Sequence, residues 1–398
     1  MTKPKTRAQL RAEESNENIR RLAAQLGARI GTSGLQVFGG QVREAYTSRL
    51  VWPGAYRIYN DMRRRVPTLA ALFNIVNWLA AGVTWKFEAA SDAPDDDRAA
   101  EFGNQVLEDM SGAWGQTVED ALTGMPFGWA WQEVIYGKRE RGWTSPSGEA
   151  WPTRHNDGAL GWAAIEHRAQ SSWHRWDMDD ASGKLRGMVQ NDPPNPMVTI
   201  PLKQSVHFTP LRDGSNPEGR CLLESSYEAY YNQRGFWIVL GVGMERSLVG
   251  FPVFRAVEVT PAPGDKAVIE EAVKQMLASM ENSYLFLPPG LEFSLESVSN
   301  PNASSIMDAI KYCDVLMLRT ALAQFITLGS DSGSWALGSD QSALFIMAVN
   351  GILNNFAATI NAGAGRRLFE VNAARFPGMT APPRLVQSGV HKSVALGA

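Results

Sequence analysis

Cysteine is nearly absent: Cys221 and Cys313 are the only two in 398 residues. They form no C-x-x-C spacing and adjoin no histidine cluster, which removes a disulfide framework and a thiolate zinc site from consideration. The low cysteine content fits a reducing compartment. An excess of positive charge is missing too. Lys and Arg number 38 against 41 Asp and Glu, a formal net charge of −3. Such a chain does not coat nucleic acid by bulk charge, although it can surround DNA without gripping it. An apolar leader is also lacking, because residues 1–26 are polar and of mixed charge. The most apolar window, 235–254, holds Glu245 and Arg246 at its centre and three glycines. Two central charges cost a lone membrane span several kcal/mol, so a soluble chain with no membrane partner is expected.

What is present is globular: 44% hydrophobic and 20% charged residues, enough for a sizeable core in two or three domains. Residues 1–45 read as a loosely organised arm, with a short polar helix over 13–26 and a glycine-rich loop over 27–40. Apolar residues at 3–4 spacing predict one helix over 61–81 (Val66, Leu69, Leu72, Phe73, Val76, Leu79), then a strand over 84–89 and a helix over 99–110. A short helix over 118–122 leads to a strand over 129–136. Residues 137–210 alternate as short strands, 162–166, 185–190 and 197–200 among them, with turn signals between. Helix is expected from Arg220 to Val249, strand over 251–260, and helix over 265–281, with Asp265 placed to cap it. A hairpin is expected from 284–287 and 291–295. A second long helix is expected over 302–326, a Gly/Ser loop over 328–339, and a last long helix over 340–367. The class is α+β, with a compact β–α–β–β insert between two long helices.

The motifs that suggest chemistry weaken under test. The stretch 214–221 has phosphate-loop glycines, but it lacks the Lys and the Ser/Thr of that template, and Pro217 removes a backbone donor. It reads as a turn before a helix. Asp331-Ser332-Gly333 resembles a serine-protease nucleophile loop but does not satisfy G-x-S-x-G, so it reads as a flexible linker. His167 and His174, with Asp177, Asp179 and Asp180, lack the spacing of a zinc or EF-hand site. Asp95-Asp96-Asp97 fits the acidic start of a helix. The many Trp residues fit core and subunit packing better than base stacking. No catalytic, cofactor or metal residue is assigned, and no cofactor is expected.

Three stretches resemble the Mu-like branch of tailed-phage portal proteins. The first is 61–89 (DMRRRVPTLAALFNIVNWLAAGVTWKFEA) followed by 118–136 (VEDALTGMPFGWAWQEVIY). The second is 206–231 (VHFTPLRDGSNPEGRCLLESSYEAYY), and the third is 322–345 (LAQFITLGSDSGSWALGSDQSALF). The likeness runs over about 45–375, and the order and spacing of the stretches carry it. The chain departs from the family in having no Lys over 236–248, and little helical sequence follows Arg367, so the crown is short or absent.

The resemblance implies a portal fold and a ring, usually of twelve subunits, at one capsid vertex. It implies an N-terminal arm (1–45), a wing (46–219), a first stem helix (220–250), a clip (251–301) and a second stem helix (302–327). A tunnel loop (328–339), a wing helix (340–375) and a short tail (376–398) complete it. Ser330, Asp331, Ser332, Ser334, Trp335 and Leu337 would form the tunnel loop beside DNA, with Trp335 touching either DNA or a neighbouring subunit. Asp308, Lys311, Asp314 and Arg319 are the channel-lining candidates, and their charges nearly cancel. Phe254, Arg255, Glu258, Tyr284 and Phe286 are the clip candidates for partner binding. Implied partners are double-stranded DNA passing without sequence specificity, terminase, a head–tail adaptor and the major capsid protein. The implied location is the virion, with the host cytoplasm during assembly. The alternatives are a capsid- or tail-associated hydrolase or nuclease, whose magnesium-dependent activity would need Asp177 or Asp179, and another head–tail connector protein.

Overall fold

The computed structural model describes residues 31–249, 251–256, 291–296, 303–323 and 335–390, with isolated positions at 17, 21, 27, 267, 270, 271, 273 and 274. In chain order its elements begin with strands β1 (Val37–Phe38) and β2 (Gln41–Val42). Helices α1 (Gly54–Arg65) and α2 (Pro67–Ala81), strand β3 (Trp85–Glu88) and helices α3 (Pro94–Asp109), α4 (Trp114–Leu122) and α5 (Gly124–Phe127) follow. Next come β4 (Ala130–Lys138), β5 (Leu160–Arg168), β6 (Trp173–Met178), β7 (Leu185–Gln190), β8 (Val198–Pro201) and β9 (Ser205–Phe208). Helix α6 (Tyr227–Val249), β10 (Phe251–Ala256), β11 (Leu291–Glu296), α7 (Ala303–Arg319), α8 (Trp335–Ile360), α9 (Arg366–Val371) and β12 (Arg384–Gln387) complete the order. The α+β class expected from the sequence is the class observed.

The chain divides into two compact units, 1–225 with 320–398, and 226–319. In the first, two three-stranded antiparallel sheets run β5-β4-β9 and β6-β7-β8. Tryptophan fills the space beside them. Trp129, Trp131, Trp162 and Trp176 are fully buried. Trp129 meets Trp52 at 5.1 Å and Trp176 at 5.0 Å between ring centroids. Such pairs add to area burial by geometry, so the indoles expected as packing residues make the core. The C-terminal strand β12 pairs with β3, setting Leu385 opposite Phe87. Gly103 of α3 lies under that pair, where an added Cβ would sit 2.7 Å from Phe87 Cδ2.

The acidic run in the first turn of α3 has a structural role. Pro94 takes the first helical position and Asp95, Asp96 and Asp97 fill the first turn, where the helix dipole favours negative charge. Asp96 also accepts bonds from Ser91 Oγ (2.5 Å), Thr380 N (2.8 Å) and Thr380 Oγ1 (2.5 Å). Asp95 Oδ2 accepts from Gly378 N at 2.6 Å. Two neighbouring carboxylates thereby fasten the segment that leads into β12. The serine and threonine bonds to Asp96 hold its carboxyl below the usual range.

Several boundaries differ from the sequence expectation. The helix expected over 61–81 is two helices, because Val66 precedes Pro67 and takes an extended conformation (φ −90°, ψ 108°). Helix α6 starts at Tyr227, not at Arg220. The amides of Arg220 and Leu222 bond to Leu211 O and Met125 O instead of building a helix. Strand β11 pairs antiparallel with β10, Phe254 opposite Phe293, so β10 is the partner found for it. The helix expected to reach Ile326 ends at Arg319, followed by a turn in which Leu322 takes φ +57°. Helix α8 begins at Trp335, inside the range expected as loop. The tail contains β12, and 27–40 contains β1, which were not expected. The helix expected over 265–281, the strand over 284–287 and residues 328–334 lie outside the described residues, apart from the isolated positions.

Candidate functional site

The second unit is built around two helices. Helices α6 and α7 run antiparallel, pinned at two levels. Gln233, buried in α6, donates through Nε2 to Asp314 Oδ1 (2.9 Å) and to the Ile310 carbonyl (3.2 Å). One end lower, Ser226 Oγ donates to the Met317 carbonyl at 3.5 Å. Ile310, Cys313 and Met317 are buried on α7, and Tyr230 and Leu240 on α6. The apolar spacing that predicted α7 therefore marks the face it turns toward α6.

That contact sorts the four α7 charges singled out from the sequence. Asp314 faces α6 as the acceptor of Gln233. Asp308 and Lys311 stand on the open side, 70% and 72% exposed, and pair with each other at 3.8 Å. Arg319 is exposed at the last turn. The pair leaves α7 with little net field on its open face, since exposed partners screen one another.

Among the strand residues singled out, Phe254 and Arg255 lie on β10, Arg255 opposite Glu292 of β11. Glu258, Tyr284 and Phe286 lie outside the described residues. So do Ser330, Asp331, Ser332 and Ser334. Trp335 and Leu337 fall in the first turn of α8.

The first unit holds a group of buried titratable side chains that sequence reasoning did not single out. A small open pocket of about 50 Å³ is lined by Val42, Glu44, Tyr59, Glu218, Cys221 and Glu224, among others. Burial pushes the Glu218 carboxyl up to about 8, against the bond it accepts from Trp176 Nε1 at 3.2 Å. Burial likewise raises the Cys221 thiol, which donates to the Pro126 carbonyl at 3.0 Å, and the Tyr59 hydroxyl. His207 is pushed down to about 4 by burial, with Nε2 against Pro217 O at 2.7 Å and its ring between Trp131 and Trp176. Every shift favours the neutral form. A thiol held protonated is a poor nucleophile. Sequence marked only the 214–221 turn, because Val42, Glu44 and Tyr59, which close over Glu218, Cys221 and Glu224, come from segments far away in the chain.

The carboxylates that a nuclease reading would use are committed elsewhere. Arg186 binds Asp177 at 2.9 Å and reaches Asp179 at 3.9 Å. Among the described residues, no three His, Cys, Asp or Glu side chains are grouped to hold a metal ion.

Comparison with known proteins gives one family. The family model described as portal protein of Mu bacteriophage matches residues 56–389. Many solved structures are similar to the chain, three of them as follows. A portal protein of the HK97 phage family from Corynebacterium diphtheriae is 11% identical over 75% of this chain and 90% of its own, with a TM-score of 0.42. A chain from the neck of an empty gene transfer agent particle, computed with C6 symmetry, is 10% identical over 83% and 84%, with a TM-score of 0.51. A chain from the neck of the native particle, computed with C12 symmetry, is 9% identical over 85% and 86%, with a TM-score of 0.51. At these identities the neck structures share the fold. The curated proteins contain no match.

Proposed function

The chain belongs to the portal protein family of Mu bacteriophage, and from that membership we propose that it is the ring subunit of a portal at the capsid vertex of a virion, forming the channel for DNA packaging and ejection. The family match over residues 56–389 carries this reading. A ring is supported by the neck assemblies that share the fold, which have C6 and C12 symmetry. Twelve copies is the number proposed here.

In this reading α6 and α7 are the stem, the segment containing β10 and β11 is the clip, and the first unit forms the wing. The loop ahead of α8 is the tunnel loop. Terminase during packaging and the head–tail adaptor afterwards dock on the clip, and the major capsid protein meets the wing. Asp308 and Lys311 line the channel with Arg319 at its end, while Asp314 serves the helix pair. The physics suits passage without capture. Each unpaired Lys or Arg facing DNA adds salt-dependent affinity for phosphate and slows release. A channel lined by Asp308 and Lys311, paired at 3.8 Å, adds almost none. No catalytic step is assigned to the chain.

The test is a phage deleted for this chain and complemented with it. Complementation restores DNA-filled particles if the reading is right. DNA-filled, tailed particles assembled without the chain would overturn it.

A further inference from the structure

The chain's net charge is −3, yet positive charge gathers on one short segment. Residues 49–65 hold Arg49, Arg57, Arg63, Arg64 and Arg65 against a single carboxylate, Asp61. Helix α1 buries Ala55, Tyr59 and Met62. Arg57 and Arg64 stand almost two turns apart and share the opposite face. Both are exposed, and neither makes an ion pair among the described residues. Asp61 lies between them along the helix but binds Arg65 at 2.6 Å.

Helix stability does not account for this face. The arginines at 63, 64 and 65 lie in the last turn, where the helix dipole favours a cation. Arg57 closes the first turn, where the dipole disfavours one, and no acidic residue in that turn offsets it. Arg63 is half-buried, 5.0 Å over the Phe127 ring, with Nε donating to Asn60 Oδ1 at 3.1 Å. Burial, and then the neighbouring Arg64, hold its guanidinium below the usual range. The charge on this face is therefore left without a counter-ion inside the first unit. Its chemistry narrows the partner. Arg57 and Arg64 are about 10.5 Å apart along the axis, a length over which duplex DNA carries about six phosphates. No lysine occurs between Lys5 and Lys86, so every cation here is arginine. The planar guanidinium fork can bind two phosphate oxygens at once. The open side of α7 differs, because Asp308 and Lys311 cancel there. A cancelled pair lets a phosphate backbone pass, and an uncancelled arginine row holds it.

We propose that the Arg57–Arg64 face of α1, with Arg63 and Arg65 at its end, is a docking surface for the phosphate backbone of duplex DNA, distinct from the α6–α7 pair. The surface reads no sequence, because phosphate contacts position a duplex without specifying bases. It belongs to the first unit alone and needs no ring, so it goes beyond the channel reading above.

The experiment is fluorescence anisotropy of a labelled duplex of mixed sequence, titrated with the full chain from low to physiological salt. Particle mass and circular dichroism on the same samples report assembly and folding. Wild type binds the duplex, and its log affinity falls linearly with log salt. Arg57→Gln with Arg64→Gln weakens binding severalfold at low salt. It also shrinks the salt slope by about 0.9 for each lost phosphate contact, about 1.8 for one copy of the pair. Arg57→Lys with Arg64→Lys keeps the charge and most of the slope, which separates phosphate contact from a folding defect. A folded Gln variant with unchanged affinity and slope overturns the proposal. So does a wild type that binds polyglutamate but no duplex, because the face then serves an acidic protein segment. Rings that bind no duplex overturn this surface and leave the ring reading intact, whereas a duplex-binding monomer supports the surface and counts against the ring.

Discussion

Gln233 Nε2 and Asp314 Oδ1 lie 2.9 Å apart, a polar bond at the buried seam between α6 and α7. Lys311 and Asp308 lie outside that contact, both largely exposed and paired with each other. Replacing Gln233 by Ala removes its bonds to the Ile310 carbonyl and the Asp314 carboxylate inside the helix pair. The expected cost is about 1–3 kcal/mol, read as a lower denaturation midpoint. Hydrogen exchange should quicken first over 226–249 and 303–319.

Asp96 fastens the approach to β12, and its carboxyl is held below the usual range by Ser91 and Thr380. A depressed carboxylate contributes stability that is present above the unfolded-state value and is lost as pH falls through the folded one. Asp96→Asn therefore lowers the melting temperature at neutral pH, and the gap from wild type narrows under acid. Thermal denaturation from neutral to acid pH checks this. A variant as stable as wild type at neutral pH would refute the fastening.

Glu218 has the opposite sign. Its value is raised from 4.5 to about 8. Between those limits the folded state binds the extra proton, so stability falls as pH rises from about 4.5 and levels off above about 8. Glu218→Gln keeps the Trp176 partner and removes the titration. Its denaturation midpoint should exceed that of wild type at pH 8 and converge with it near pH 5.

Gly103 has no room for a methyl group. The added Cβ would meet Phe87 Cδ2 at 2.7 Å and Phe369 Cζ at 3.0 Å. Overpacking of this kind costs about 1–3 kcal/mol, so Gly103→Ala lowers stability although alanine favours helix. Chemical denaturation measures it, and a neutral or stabilised variant would mean that the Phe87–Phe369 pair can move.

The sequence made long periodic elements legible and left pairing partners hidden. Ile310, Cys313 and Met317 repeat at helical spacing and are the buried face of α7. The strand expected over 129–136 is β4, although Ala130, Trp131 and Gln132 are all buried, so clean in-and-out alternation is not its pattern. The break at Val66 was readable from Pro67, but the continuous apolar pattern across it argued for one helix. Strand β12 is four residues long and pairs with a strand almost 300 residues earlier, and local periodicity carries no trace of such a contact. The Glu218–Cys221 group is likewise a product of tertiary packing. For the site, composition showed that charge on α7 nearly cancels. Only the helix pairing showed that Asp314 is spent on Gln233 while Asp308 and Lys311 stand open.

The most direct measurement is electron microscopy of the purified full chain, with particle mass taken from the same sample. The account predicts rings with a central channel and a mass near twelve times 43.7 kDa. A uniform monomer or dimer across all salt concentrations would contradict it.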